Sequence, residues 1–75
     1  MKPRTEIINN RIVNYVEQLA GFLKPGDIFR KLHNKTQYKF GQLIPEESLV
    51  SCENLETHLK EEIYFKSPVF KLIFI

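Results

Sequence analysis

Apolar residues follow two rhythms along this chain, helical spacing in two long stretches and a nearly unbroken apolar run at the end. From Thr5 to about Phe22, the residues Ile8, Ile12, Tyr15, Val16, Leu19, Phe22 and Leu23 recur at helical intervals. Asn9, Asn10, Arg11, Asn14, Glu17 and Gln18 fill the opposite side. That pattern predicts an amphipathic helix, with Thr5 placed to cap it and Glu6 to complement its positive end. Lys24-Pro25-Gly26 is the expected stop. Asp27 to His33 reads as a short helix, capped by Asp27 and halted at Asn34, with Ile28 and Leu32 on one face.

Tyr38 to Ile44 (YKFGQLI) fits two templates. As a strand, Tyr38, Phe40, Gln42 and Ile44 share a face, and Gly41 marks a bulge or a close backbone approach. As a helix capped by Thr36 it clusters Phe40, Leu43 and Ile44 but carries an interior glycine, at about 1 kcal/mol against alanine. The strand is the favoured reading. Glu46 to about Ile63 predicts a second long helix, with Pro45, Glu46 and Glu47 at its start and Leu49, Cys52, Leu55, Leu59 and Ile63 as its stripe. Ile63-Tyr64-Phe65 can begin a strand, and Lys66-Ser67-Pro68 is turn-like.

The tail, Val69 to Ile75 (VFKLIFI), has apolar residues at six of its seven positions. In a strand Val69, Lys71, Ile73 and Ile75 face one way, and Phe70, Leu72 and Phe74 the other. Both faces are apolar, so the tail predicts a strand covered on two sides. The expected fold is a single α+β domain over residues 1–75. Two long amphipathic helices and one short helix pack on a two- to three-stranded antiparallel sheet. The tail is either the central strand of that sheet, between Tyr38–Ile44 and Ile63–Phe65, or an edge that pairs with its own copy or with another protein. Because so small a sheet is short of cover for its second face, a homodimer or a partner protein is expected there.

Length and composition narrow the function. A 75-residue chain buries only about 60% of its unfolded surface, so its stability margin is small. One cysteine, Cys52, excludes an intrachain disulfide and suits a reducing compartment. No apolar run approaches the roughly 20 residues of a membrane helix, and the start has no apolar targeting segment, so the cytoplasm and no membrane contact are expected. Catalysis has no constellation to support it. Cys52 and His58 lie six apart, about 240° around a helix, and Cys52 falls in the apolar stripe. His33, His58 and Cys52 are too scattered for zinc, and the glycines too scattered for a phosphate cradle. The expectation is a non-enzyme without metal or cofactor.

Charge is sorted along the chain. Between Lys24 and Pro45, five cations (Lys24, Arg30, Lys31, Lys35, Lys39) meet Asp27 alone. Between Glu46 and Glu62, six glutamates meet Lys60 alone. The overall net charge of +2 conceals this. Either the two segments lie side by side, or the basic one meets an acidic partner. Arg30, Lys31, Lys35, Gln37, Tyr38 and Lys39, with Phe70 and Phe74 of the tail, are the expected partner-binding residues. Together these features predict a small protein-interaction module, a regulator or inhibitor of a larger protein. The alternative is a helix-turn-helix or winged-helix-like transcriptional regulator. Its first helix would run from Ile28 to His33 and its recognition helix from Thr36, with Gln37 reading bases and Lys31, Lys35 and Lys39 on phosphates.

Overall fold

At Asn9-Asn10 the chain reverses instead of continuing a helix. Both residues hold positive φ, 51° and 63°, the left-handed pair that a two-residue type I′ hairpin needs and that asparagine tolerates. In the computed structural model, which describes residues 4–75, this hairpin joins β1 (Arg4–Ile8) to β2 (Arg11–Leu19). Five further strands follow: β3 (Ile28–Lys31), β4 (Gln37–Ile44), β5 (Leu49–Asn54), β6 (Lys60–Tyr64) and β7 (Pro68–Phe74). All described pairings are antiparallel, in the order β1-β2-β7-β3-β4-β5-β6. The described helical turns are 3-10, Ala20–Phe22 and Pro45–Glu47, of three residues each. The expected α+β fold is therefore wrong. This is a sheet protein.

Each expected helix fails for a local reason. A spacing of four, such as Tyr15 to Leu19 on β2, puts residues on one face of a strand as well as of a helix, while Leu55 and Leu59 lie in the loop between β5 and β6 and only Ile63 is on a strand. The β-branched residues Thr5, Ile7, Ile8, Ile12, Val13 and Val16 favour the strand. Thr5 is no cap, since its hydroxyl donates 2.9 Å across the hairpin to Asn14 Oδ1. Asp27 caps no helix either. Its carboxylate accepts from the Lys24 amide at 2.8 Å, closing the loop before β3, and lies 3.6 Å from Lys71 Nζ. The expected Glu46–Ile63 helix breaks at two left-handed residues, Ser48 and His58. Between them β5 turns Val50, Cys52 and Asn54 inward. Asn54 then organises the loop that follows, its Oδ1 accepting from the Glu56 and Thr57 amides.

The strand reading of Tyr38–Ile44 holds, but the expected common face does not, since Tyr38 and Phe40 are buried and Gln42, past the bulge, is exposed. Register slips between Phe40 and Gln42, and a Cβ added at Gly41 would come 3.0 Å from the Ser51 carbonyl oxygen. Gly41 thus sits at a bulge and at a close backbone approach. With β3 and β4 as paired strands, the helix-turn-helix alternative has neither of its helices.

Bonds at one corner roll the sheet up. The Ala20 amide donates to Ser67 O, the Gly21 amide to Phe65 O and the Phe65 amide to Ser48 O, at 2.8–2.9 Å. The Gly21 bond ties the end of β2 to the end of β6, the Ala20 and Phe65 bonds extend the β2–β7 and β5–β6 ladders, and the strands close around an inner cluster. Phe29, Tyr38, Phe40, Val50, Cys52 and Val69 are buried there, with Ala20 and Leu23. A second cluster, Val13, Tyr15, Phe70 and Leu72, sits on the outer face of β2 and β7, with Ile8, Ile28 and Leu32 against it. β7 serves both, since Val69 points in while Phe70 and Leu72 point out. The tail is an inner strand, but between β2 and β3, not between Tyr38–Ile44 and Ile63–Phe65. β2 pairs with it along Pro68–Phe74 and β3 along Val69–Leu72, so over that shared stretch it cannot accept another strand.

Candidate functional site

Alternation splits the expected basic segment between the two faces of the sheet. Lys31 and Tyr38 belong to the inner side. Tyr38 is buried and stacked on Phe29, with ring centroids 5.6 Å apart. Lys31 Nζ lies 5.0 Å from the Tyr38 ring centre and 3.8 Å from Glu61 Oε1. Arg30, Gln37 and Lys39 face out, Arg30 opposite Gln37 in the β3–β4 ladder. Lys39 is in turn opposite Glu53, and Glu53 opposite Lys60. Part of the sequence's charge sorting is thus mutual cover between β3–β4 and β5–β6. Arg30 and Lys35 lie outside it.

Arg30 is held by aromatic rings. Its guanidinium carbon is 4.8 Å from the Tyr15 ring centre and 5.0 Å from that of Phe70. Nε is enclosed without a hydrogen-bond partner, and Nη1 makes a long 3.4 Å contact to the Asn34 carbonyl. The side chain lines a pocket of about 300 Å³ with Glu6, Ile7, Ile8, Tyr15, Lys35 and Gln37. In it the Tyr15 hydroxyl donates a short hydrogen bond to Glu6 Oε2. Burial, together with that carboxylate, pushes the Tyr15 phenol above its ordinary value. Of the expected contact residues, the fold gathers Arg30, Lys35 and Gln37 here and leaves Lys39 beside them. Phe70 is core, and Phe74 is partly exposed under Arg11.

A second surface lies where the sheet has stopped curling. Ile7 is opposite Ile12 in the first hairpin, Ile75 donates its amide to the Ile12 carbonyl, and Ile73 is opposite Asn14. All four isoleucines share one face, continuous with Val69 and Lys71 of β7. They are exposed by 72% (Ile7), 47% (Ile12), 41% (Ile73) and 70% (Ile75). Neither this patch nor the Glu6–Tyr15 half of the pocket was expected from the sequence. The missed signal is Asn9-Asn10. Read as a hairpin turn, it sets Ile7 against Ile12 at once.

Comparison with known proteins finds no matching family model, no similar curated protein and no similar solved structure. Function therefore has to be argued from these two surfaces. No helix among the described residues is long and apolar enough to cross a membrane.

Cys52 belongs to neither surface. It is 2% exposed, its Sγ 3.4 Å from the Glu61 carbonyl oxygen, and burial and then the Glu61 charge push the thiol up to about 11. A buried protonated thiol is a poor nucleophile. Native protein is therefore expected to react with a thiol reagent at pH 8 only as fast as it opens, and fully in denaturant. Immediate native reaction would show Cys52 to be accessible. The unfolded thiol ionises at a lower pH than the folded one, so above about pH 9 the unfolded chain binds fewer protons than the folded. Stability should fall as pH rises from there toward 11, and a Cys52→Ala variant should lack that component.

Proposed function

We propose that this protein is a non-enzymatic protein-interaction module, a small regulator or inhibitor of a larger protein, which docks through the isoleucine face. One observation carries the reading: four isoleucines occupy neighbouring positions on β1, β2 and the end of the tail, and all four are open to water. Scattered exposed apolar residues need no explanation, but a contiguous group of this kind marks an interaction surface. Its position supports the same reading. It borders the Ile7–Ile8 end of β1, a sheet edge, whereas the other edge, β6, opens with three successive charges, Lys60, Glu61 and Glu62, which discourage strand addition.

Ile12→Lys tests it. At a half-exposed strand position the change should move stability by about 0.5 kcal/mol or less. Proteins retained from lysate by the immobilised wild-type chain, measured by quantitative mass spectrometry, should include one or more that Ile12→Lys no longer retains. Sedimentation velocity separates the two kinds of partner. A wild-type mass of two chains that falls to one in the variant makes the partner a second copy. A monomeric wild type with the same retained proteins as Ile12→Lys would refute the docking role.

A further inference from the structure

The Arg30 pocket opens on the side of the sheet opposite Ile12, Ile73 and Ile75, and of the four exposed isoleucines Ile7 alone borders it, so its role is tested separately from theirs. Arg30 is a partly buried cation that no described carboxylate pairs, since the described lysine–carboxylate pairs are Lys31–Glu61 and Lys71–Asp27 and Glu53 contacts His58. Buried guanidinium groups are ordinarily matched by a carboxylate or phosphate. Glu6 lines the same pocket, where its Oε2 accepts from the Tyr15 hydroxyl, and no ion pair with Arg30 is formed. The two rings fix the guanidinium in place, and enclosure of Nε leaves the Nη end as what a ligand can meet. Such a pre-positioned planar fork suits a planar oxyanion.

We propose that this pocket binds a carboxylate of an extended acidic peptide segment, with Arg30 and Lys35 as the cations and Gln37 as an amide donor. Three features select that ligand. Arg30 and Lys35 against Glu6 leave a surplus of one positive charge, which a carboxylate balances and a phosphate monoester exceeds. Gln37 and Lys39 are two residues apart on one strand face, about 7 Å, which is also the spacing of alternate side chains in an extended peptide. A second acidic residue of the peptide would therefore reach Lys39. Single-stranded nucleic acid is disfavoured by the same surface. Tyr15 and Phe70, the rings on which bases would stack, are buried.

The test is a titration of isotopically labelled protein, followed by amide NMR shifts, with a blocked hexaglutamate peptide. Hexaglutamine, sodium acetate and oligo(dT) serve as the other probes. Hexaglutamate should move the Arg30, Lys35 and Gln37 resonances, and hexaglutamine should not. Lys35→Glu, at an exposed loop position, should weaken hexaglutamate binding about tenfold or more, the loss of one charge-assisted contact, without changing the thermal midpoint. Arg30→Gln should abolish it, and because that change disturbs packing, Lys35→Glu keeps the outcome interpretable. Shifts that map elsewhere, or an unaltered affinity in Lys35→Glu, would overturn the proposal. Saturation by acetate at the same concentration would assign the pocket to a free small carboxylate instead. Tighter binding of oligo(dT) on the same resonances would assign it to nucleic acid.

Discussion

Replacing Phe29 by alanine is expected to bring the protein to the edge of unfolding at room temperature. The side chain has no exposed surface, and it stands at the centre of the inner cluster, stacked on Tyr38 and beside Val69. Phenylalanine-to-alanine changes at such sites cost about 3–5 kcal/mol, because apolar transfer and the empty volume add. Average stability per residue implies roughly 4–11 kcal/mol for a chain of this length, with small domains toward the lower end. The inner cluster has little to spare, since one aromatic pair, Phe29 and Tyr38, spans β3 and β4 at its middle. Urea denaturation followed by circular dichroism should show a much lower midpoint with the slope unchanged. A loss under about 1 kcal/mol would mean that the inner cluster is not the centre of the fold.

How much of this was legible in the sequence depended on which period each segment could hide. The tail was legible because residues of one type crowd both its faces, and only a doubly covered strand accommodates that. Tyr38–Ile44 was legible because Gly41 penalises the helix and fits the bulge. Cys52 was read as a small core residue, and it is one. Thr5–Phe22 and Glu46–Ile63 carry helical spacing because apolar residues of two strands and the turn between them happen to fall at helical intervals, a pattern that helix and hairpin share. What decides between them is conformation at single residues. Asn9, Asn10, Ser48 and His58 adopt left-handed φ, and of these only the Asn-Asn pair has a recognisable turn signature. Once the strands were missed, so was the site. Arg30 and Lys31 are neighbours in sequence, and alternation sends them to opposite faces. Tyr15 meets Arg30 only because β7 inserts between β2 and β3, a pairing that no local pattern announces.

The tail's two phenylalanines should respond very differently to lysine. Phe70 is 8% exposed, its ring 6.0 Å from that of Tyr15 and 5.0 Å from the Arg30 guanidinium carbon. Phe70→Lys removes the ring from the outer cluster and leaves an ammonium beside a guanidinium in a site with little water. Loss of the packing alone costs about 3–5 kcal/mol, and the desolvated like charge adds to it. This variant is expected to show no cooperative thermal transition above room temperature. Phe74 is 37% exposed, at the last position of β7, with Arg11 over its ring at 5.4 Å. A lysine there can lay its stem along β2 and keep its charge in water, so Phe74→Lys should cost about 1 kcal/mol and melt only a few degrees lower. Thermal melts by circular dichroism check both. If Phe70→Lys melted as cooperatively as Phe74→Lys, the outer cluster would be surface and Arg30 would have no fixed seat. The expected contrast divides the tail by position along the strand. As far as Leu72 the chain's own residues cover it on both faces, and beyond that Ile73 and Ile75 are left partly open to water.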